Sequence, residues 1–350
     1  MRVRSAQHLL FTKQPGGLVG LHVLTSSRFA CSIDLLSFLA MIEMWTDVAE
    51  IPDLLPATPP DEITGTLNDL LSVNAIVAEG SELDDAETDF GVRWKWGTPT
   101  AALHFGVEDR TYLNLEQATL LQQQRLSWEP QPALFLEDAT LPKMALPAQL
   151  GDQGLIDLMA RRRTVRTAAR GPILLSDVAA CLFAGMGITG FTENGAGRLP
   201  LAMTPSGGAR NPFEAFVYAR EVDGMAPGFY HYTAIDHAIA RLHSSDLPAM
   251  SELVAGQDWA DTMPCAIILC AWLERSMWKY DDAGAYRIVL IEAGHIGQNI
   301  MLAATARGLC ACPTAALNQS LIRRALGLRD AITQAPTYVL TLGAPVAVDG

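Results

Sequence analysis

Residues 161–166 (Arg161, Arg162, Arg163, Thr164, Val165 and Arg166) gather four guanidinium groups and a hydroxyl, in a chain whose net charge is -13. Like charges this close repel unless an anion sits among them. Arginine forks grip phosphate oxygens in pairs, and a threonine hydroxyl and backbone N–H groups complete such a shell. The tract therefore points to a bound phosphate, with a basic surface turn and a nucleic-acid patch as the alternatives. Duplex binding needs a broad positive footprint, and here 38 Asp and Glu outweigh 25 Lys and Arg. No nucleic-acid partner is expected.

The 25 cations comprise 21 arginines and only four lysines: Lys13, Lys95, Lys143 and Lys279. Lys279 thus stands alone after residue 143, between Trp278 and Tyr280. Arginine stays protonated, whereas a partly buried lysine can lose its proton near neutral pH. Lys279 is a candidate base on that ground.

Other segments carry chemistry by their residue types. Thr204-Pro205-Ser206-Gly207-Gly208-Ala209-Arg210 reads as a tight turn whose glycines would let a backbone approach a flat ring, with hydroxyls and N–H groups aimed at ring carbonyls. Gly228-Phe229-Tyr230-His231-Tyr232 follows a Pro-Gly turn, and His231 between aromatic residues reads as packing. His295, Gln298 and Asn299 fall at i, i+3 and i+4 on one helical face, which suggests a polar seam at a dimer interface. Glu292, on the same apolar helix, is expected to pair with an arginine such as Arg287.

No G-x-G-x-x-G follows a strand, and neither a Walker loop nor H-E-x-x-H is present. The six cysteines are scattered, and Cys310 with Cys312 alone make no zinc site. No metal is expected.

The elements that must position these groups fall into three stretches. Residues 1–110 read as a separate module. Ser32 caps a helix running to Val48, with Leu35, Leu36, Leu39, Ile42 and Trp45 as its apolar positions. Pro59-Pro60-Asp61-Glu62 opens a second helix through Leu71, and Ala75 to Ala78 forms a short strand. That succession suggests a winged-helix-like arrangement. Its second helix is acidic, so peptide or protein contact is expected of it, and not DNA. Residues 111–150 read as a linker spaced by Pro130, Pro132, Pro142 and Pro147, with Leu134-Phe135-Leu136 packing on a surface.

Residues 151–350 form the main α+β domain. Its strands are expected at Phe213–Val222, Phe229–Tyr232, Ala238–Leu242, Cys265–Trp272 and Thr337–Leu342, and its helices around 175–187, 285–307 and 319–326. The longest uncharged apolar runs, such as Met263 to Leu273, are too short for a membrane span. The first residues lack a signal peptide's apolar core, so a cytoplasmic protein with no membrane partner is expected.

Taken together, in this order and spacing, the segments from 151 to 345 resemble the nitroreductase superfamily of FMN enzymes, and within it the SagB/ThcOx-type azoline dehydrogenases. The resemblance implies a three-layer, nitroreductase-like FMN fold that is an obligate dimer, with FMN in a cleft built by both subunits. Arg162, Thr164 and Arg166 match the family's phosphate motif, with Arg163 inside it. Pro205, Ser206, Gly207 and Gly208 match the turn that contacts the flavin. Lys279 and Tyr280 match the catalytic Lys-Tyr pair, and Pro313 and Thr314 the segment covering one flavin face. Where the family often has a glycine within two residues of that proline, this chain has Thr314-Ala315.

The function so implied is oxidation of peptide thiazoline or oxazoline rings to thiazole or oxazole in modified-peptide biosynthesis, alongside a cyclodehydratase. Competing readings are an NAD(P)H-dependent nitro- or quinone reductase, an oxidase of carrier-bound azolines, and a non-catalytic scaffold of a cyclodehydratase complex.

Overall fold

The computed structural model describes residues 1–131, 153–194, 197–243 and 247–346. The chain divides into two compact units, Met1–Glu108 with Leu273–Ile288, and Asp109–Trp272 with Val289–Gly350.

The first unit opens with four strands beyond those expected from the sequence: β1 (Arg2–Ser5), β2 (Leu9–Gln14), β3 (Gly17–His22) and β4 (Arg28–Cys31). Strands β2, β3 and β4 form an antiparallel sheet. Ser32 caps α1 (Ile33–Met41) by accepting the Leu35 N–H. The helix stops there instead of reaching Val48, because the Ile42 carbonyl accepts the Ser5 N–H and β5 (Thr46–Asp47) pairs with β1. A short α2 (Ile51–Leu54) precedes α3 (Pro60–Ser72), which has its proline in the first turn and buries Ile63, Leu67 and Leu70. Strand β6 (Ile76–Ala78) completes a sheet in the order β5-β1-β6. Helices α4 (Glu82–Arg93) and α5 (Gly97–Gly106) follow.

A buried knot ties this unit together. The carboxylate of Glu87, fully buried, accepts from Arg4 Nη1 at 2.6 Å, the Gln7 N–H at 2.8 Å and His22 Nε2 at 3.2 Å. Burial alone would raise the Glu87 carboxyl, yet these hydrogen bonds and the Arg4 charge more than offset it and hold the group low.

The second unit begins with α6 (Leu115–Leu126), a helix inside the stretch expected to be linker. Its Asn114 and Gln117 form a reciprocal capping box. Pro132, Pro142, Pro147 and Leu134–Leu136 lie outside the described residues. Helix α7 (Gln153–Arg161) leads to β7 (Ile173–Leu174), α8 (Leu175–Met186) and the hairpin of β8 (Ile188–Asn194) and β9 (Gly197–Ala202). Then come β10 (Phe213–Ala219), β11 (Val222–Asp223), β12 (Gly228–Thr233), β13 (Ala238–Arg241), α9 (Met250–Leu253) and β14 (Cys265–Trp272).

After β14 the chain passes to the first unit as α10 (Leu273–Met277). Helix α11 (Gly284–Ala306) starts in that unit and continues in the second, followed by β15 (Cys310–Thr314), α12 (Gln319–Leu326) and β16 (Gln334–Gly343). The segment around Lys279 therefore groups with the first 108 residues and not with the main domain expected from the sequence.

The main sheet is antiparallel throughout, in the order β13-β12-β10-β14-β16-β15. Strand β14 is central and buried along nearly its whole length, which is why it reads as an unbroken apolar run. One face packs on α9 and α12 through Phe216, Ile268, Leu253 and Ile322.

The other face takes α11, whose Val289, Ala293, Ile296, Ile300 and Ala304 are buried at helical spacing. A Cβ at Gly297 would meet the Tyr338 ring at 2.5 Å, and one at Gly185 would meet Ile300 at 2.7 Å. Glycine is needed at both places for the helix to lie close to the sheet and for α8 to lie close to the helix. Helix α11 is long and apolar enough to cross a membrane by length and composition, but this buried stripe makes it a core helix. The result is a helix–sheet–helix sandwich, the three-layer fold expected.

Candidate functional site

The cationic tract follows directly on α7 and is drawn onto the edge of the main sheet. Thr164 bridges Ala311 of β15, and the Val165 N–H donates to the Ala311 carbonyl at 3.0 Å. This places Thr164 and Arg166 alongside the strand that ends in Pro313 and Thr314. Burial pushes the Cys312 thiol up to about 11, and the positive charge of Arg166 works against that shift. Thr164 and Arg166 are exposed and Arg162 is half-buried, which leaves their donors accessible.

Arg163 differs. Its Nη1 donates to the carbonyls of Ala160 at 2.6 Å and Arg162 at 2.8 Å, so it serves the end of α7. Arg162, Thr164 and Arg166 keep their donors for an outside partner. Thr314 closes the other end of β15, where its hydroxyl accepts from Gln257 Nε2 at 3.3 Å and from the Ala316 N–H at 3.1 Å.

The Thr204–Arg210 turn is built from inside. The buried Thr204 hydroxyl donates to the Gly185 carbonyl at 2.6 Å and accepts Asn299 Nδ2 at 2.9 Å. Ser206 Oγ accepts the Asn211 N–H at 2.8 Å, and the Gly207 N–H donates to Glu292 Oε2 at 3.2 Å. Gly208 (φ 63°), Ala209 (φ 53°) and Asn211 (φ 43°) all take left-handed backbone. For alanine that conformation costs on the order of 1 kcal/mol, and it persists only where the surroundings fix it. Glu292 and Asn299 on α11 and Gly185 on α8 do that fixing.

This arrangement corrects three expectations. Glu292, 5% exposed, takes the Ser206 hydroxyl and the Gly207 N–H as partners in place of an arginine. The turn in consequence spends Gly207's N–H on its own shape and not on a ring carbonyl. Burial raises the Glu292 carboxyl above its ordinary value, with the two hydrogen bonds pulling it part of the way back. Asn299 likewise points at Thr204, inside the fold, which leaves His295 (exposed) and Gln298 (half-buried) for the expected seam.

His231 behaves as packing with one ion-pair contact, its Nε2 lying 2.8 Å from Glu214 Oε2 and its ring 5.1 Å from that of Phe216. The sequence offered one sign of Glu292's role, an acid on a helix otherwise apolar at that spacing. It offered none of its partner.

Lys279 and Tyr280 lie in the first unit, just after α10. Both of their N–H groups donate to the Ser276 carbonyl, at 3.1 and 2.9 Å. Lys279 Nζ lies 5.4 Å from the centre of the Tyr280 ring, so the two side chains act as neighbours. Lys279 is exposed and Tyr280 half-buried. The expected partial burial of Lys279 is therefore not met, because the helix has ended and residues 278–283 run along the surface. All six cysteines are free thiols. Among the described residues no group of three or more His, Cys, Asp or Glu is placed to hold a metal.

The fold and these sites define an oxidoreductase of the nitroreductase type. The model of the nitroreductase family matches residues 159–344, more than half of the chain, and the chain belongs to that family. MJ1384 of Methanocaldococcus jannaschii, assigned to the nitroreductases, is 33% identical over 50% of this chain and 85% of its own length. The trifolitoxin-processing protein TfxB of Rhizobium leguminosarum bv. trifolii is 33% identical over 37% of this chain and 36% of its own. The microcin B17-processing protein McbC of Escherichia coli is 28% identical over 40% and 53% respectively. The match thus spans about a third of TfxB and half of McbC. Among solved structures, the E. coli microcin synthetase McbBCD complex covers 68% of this chain and 86% of the matched chain at 20% identity, with a TM-score of 0.48.

Proposed function

We propose that the protein oxidises thiazoline or oxazoline rings in a peptide to thiazole or oxazole, using FMN. The observation that carries this is the bridge from Thr164 to Ala311, which brings the tract of Arg162, Thr164 and Arg166 to the strand that ends in Pro313 and Thr314. Kinship with the trifolitoxin-processing and microcin B17-processing proteins supports the substrate class.

The donor set fits a flavin monophosphate. Two accessible guanidiniums and a hydroxyl suit one terminal phosphate, and no second nucleotide fingerprint provides for an adenosine arm. Arg162, Thr164 and Arg166 would hold the phosphate, and the Pro205–Gly208 turn and the Pro313–Thr314 segment would border the ring.

Converting an azoline to an azole removes two hydrogen atoms from the ring, one as a proton from carbon and the other with both electrons as a hydride equivalent. Bound FMN supplies the two-electron acceptor. The chain must orient the ring and take the proton, and Lys279, beside Tyr280, is the group assigned to it. Tyr280 would orient the ammonium or relay its proton. Lys279 is exposed in the chain as it stands, so a bound peptide or a second copy would supply the desolvation that a neutral amine needs.

The unit is further proposed to act as a homodimer in the cytoplasm, with a cyclodehydratase supplying the azoline peptide. Purified protein should be yellow and release FMN on denaturation. It should convert a synthetic thiazoline peptide to its thiazole, two mass units lighter as about two hydrogens leave. NADH oxidation without thiazole formation would instead favour a reductase, the reading that kinship with MJ1384 supports. A colourless protein would remove both.

A further inference from the structure

The segment that carries Lys279 and Tyr280 is held at a second point, far away in sequence. The indole N–H of Trp96 donates to the Tyr280 carbonyl at 2.9 Å. Trp96 is 2% exposed, and its surroundings fix it on two sides. Its ring meets Tyr286 edge-on at 5.7 Å, and the Tyr286 hydroxyl lies 3.3 Å from His104 Nδ1. On the other side it meets Trp94 at 5.7 Å, and Trp94 stacks on Phe90 at 5.6 Å. Lys95, next in sequence, approaches Asp281 at 3.5 Å.

The backbone around Tyr280 is thereby held from both sides. Its N–H is anchored within its own segment at Ser276, and its C=O is anchored by Trp96. An indole N–H is a donor only, and when buried it needs an acceptor in line. The pair therefore fixes the orientation of the peptide plane that follows Tyr280, and with it the direction in which the ring leaves the chain. Lys279 lies over that ring and follows it.

We propose that Trp96 is a positioning residue for the Lys279–Tyr280 pair, acting through the Tyr280 carbonyl. The module before residue 108 would then orient the reacting groups as well as carry any peptide contact. This rests on the catalytic role proposed above for Lys279 and Tyr280.

The test uses the full-length holoprotein with Trp96 replaced by benzothienylalanine, which keeps the ring's shape and lacks the N–H, and with Trp96→Phe as the encodable companion. Flavin content and the melting temperature check that the isostere is folded. On a synthetic peptide with one thiazoline, kcat should fall about tenfold, the value of one hydrogen bond of roughly 1.4 kcal/mol. KM should stay within about twofold, since orientation and not binding is lost. Combining the isostere with Lys279→Ala should add nothing to the loss from Lys279→Ala alone.

An independent readout is the rate at which an amine-reactive ester labels Lys279, measured by peptide mass spectrometry against Lys13 in the same molecule. A change of about threefold or more is expected once the amine is no longer held over the ring. An isostere with wild-type kcat, while Lys279→Ala is crippled, overturns the assignment of Trp96. So does a loss of equal size in both lysine backgrounds. Should Lys279→Ala prove fully active, the catalytic reading of the pair fails instead, and the labelling rate alone decides whether Trp96 orients Lys279.

Discussion

Glu292 Oε2 accepts the Gly207 N–H at 3.2 Å, joining the middle of α11 to a turn that lies 85 residues earlier in the chain. The contact makes the shape of the proposed flavin-bordering turn depend on one buried carboxyl. Burial raises that carboxyl above its ordinary 4.5. A carboxyl with a higher pKa folded than unfolded contributes fully to stability below the unfolded value, and the contribution is lost as pH rises through the folded one. Thermal unfolding across that window should show wild type losing stability that Glu292→Gln keeps, because the amide does not titrate. Identical slopes for the two proteins would count against it. Glu292→Ala leaves the Gly207 N–H and the Ser206 hydroxyl without their partner and should cost about 1–3 kcal/mol.

Replacing Arg162 and Arg166 by alanine removes two accessible forks. If they hold a phosphate, each loss should weaken flavin binding by roughly 1.5–3 kcal/mol, read as quenched flavin fluorescence on titration. Arg163→Ala is the internal control. Its guanidinium is spent on the carbonyls of Ala160 and Arg162, so it should cost stability more than flavin affinity. A double alanine protein that binds FMN as tightly as wild type would move the phosphate elsewhere.

Lys279→Ala and Tyr280→Phe proteins should stay yellow and folded while azole formation falls, by about 10²–10⁴-fold if Lys279 takes the proton. Lys279→Arg is the sharper probe, since it keeps the charge and cannot accept a proton at neutral pH. An active arginine variant would reduce Lys279 to an electrostatic role. A colourless alanine variant would make it a cofactor ligand.

Gly297→Ala tests how closely α11 approaches the sheet. The new Cβ would fall 2.5 Å from the Tyr338 ring, so helix or ring must shift, at a cost of about 1–3 kcal/mol for an overpacked core. Gly294→Ala, with nothing within 4 Å of its Cβ, should be neutral or mildly stabilising. Chemical denaturation distinguishes the two. A Gly297→Ala protein as stable as wild type would mean that the spacing yields freely.

Leu290 and Ile291 stay 44% and 51% exposed on a helix whose other face is core. If a second copy covers them, light scattering at micromolar concentration should report a dimer, and Leu290→Glu with Ile291→Glu should shift it toward monomer and loosen bound flavin. A wild-type monomer that keeps its flavin would exclude the shared site.

Legibility in the sequence tracked how local each determinant was. Cys265–Trp272 was read to the residue because a fully buried strand is an unbroken apolar run, and Gln319–Leu326 because its apolar stripe is clean. Helix α1 was drawn too long because what ends it, the bond from Ser5 N–H to Ile42 O, is made by a strand far back in the chain. The hairpin of β8 and β9 was missed, as were β2 and β3. Strand β2 is half-buried at Leu9 and Leu10 and exposed beyond them, so it lacks the alternation that marks a strand. Helix α6 did carry a readable sign, the Asn114–Gln117 capping box, which the prolines after it obscured.

At the sites, the residue types were visible and the partners were not. Composition showed that Arg163 was cationic but not that it caps α7. It singled out Lys279 but left its exposure and the hold on Tyr280 to the tertiary structure.

The first unit is discontinuous, 108 residues from the start of the chain and a sixteen-residue return at Leu273–Ile288. In the terms of protein engineering, the N-terminal module cannot be exchanged by a single crossover. A chimera joined near residue 108 would bring a foreign aromatic box to this chain's own Tyr280 carbonyl and Tyr286 hydroxyl. A working exchange has to graft two segments together. For the same reason, divergence of the module among relatives is constrained by a stretch of sequence more than 160 residues downstream, at Leu273–Ile288, and substitutions at Trp96 and around Tyr280 are expected to be inherited as a pair.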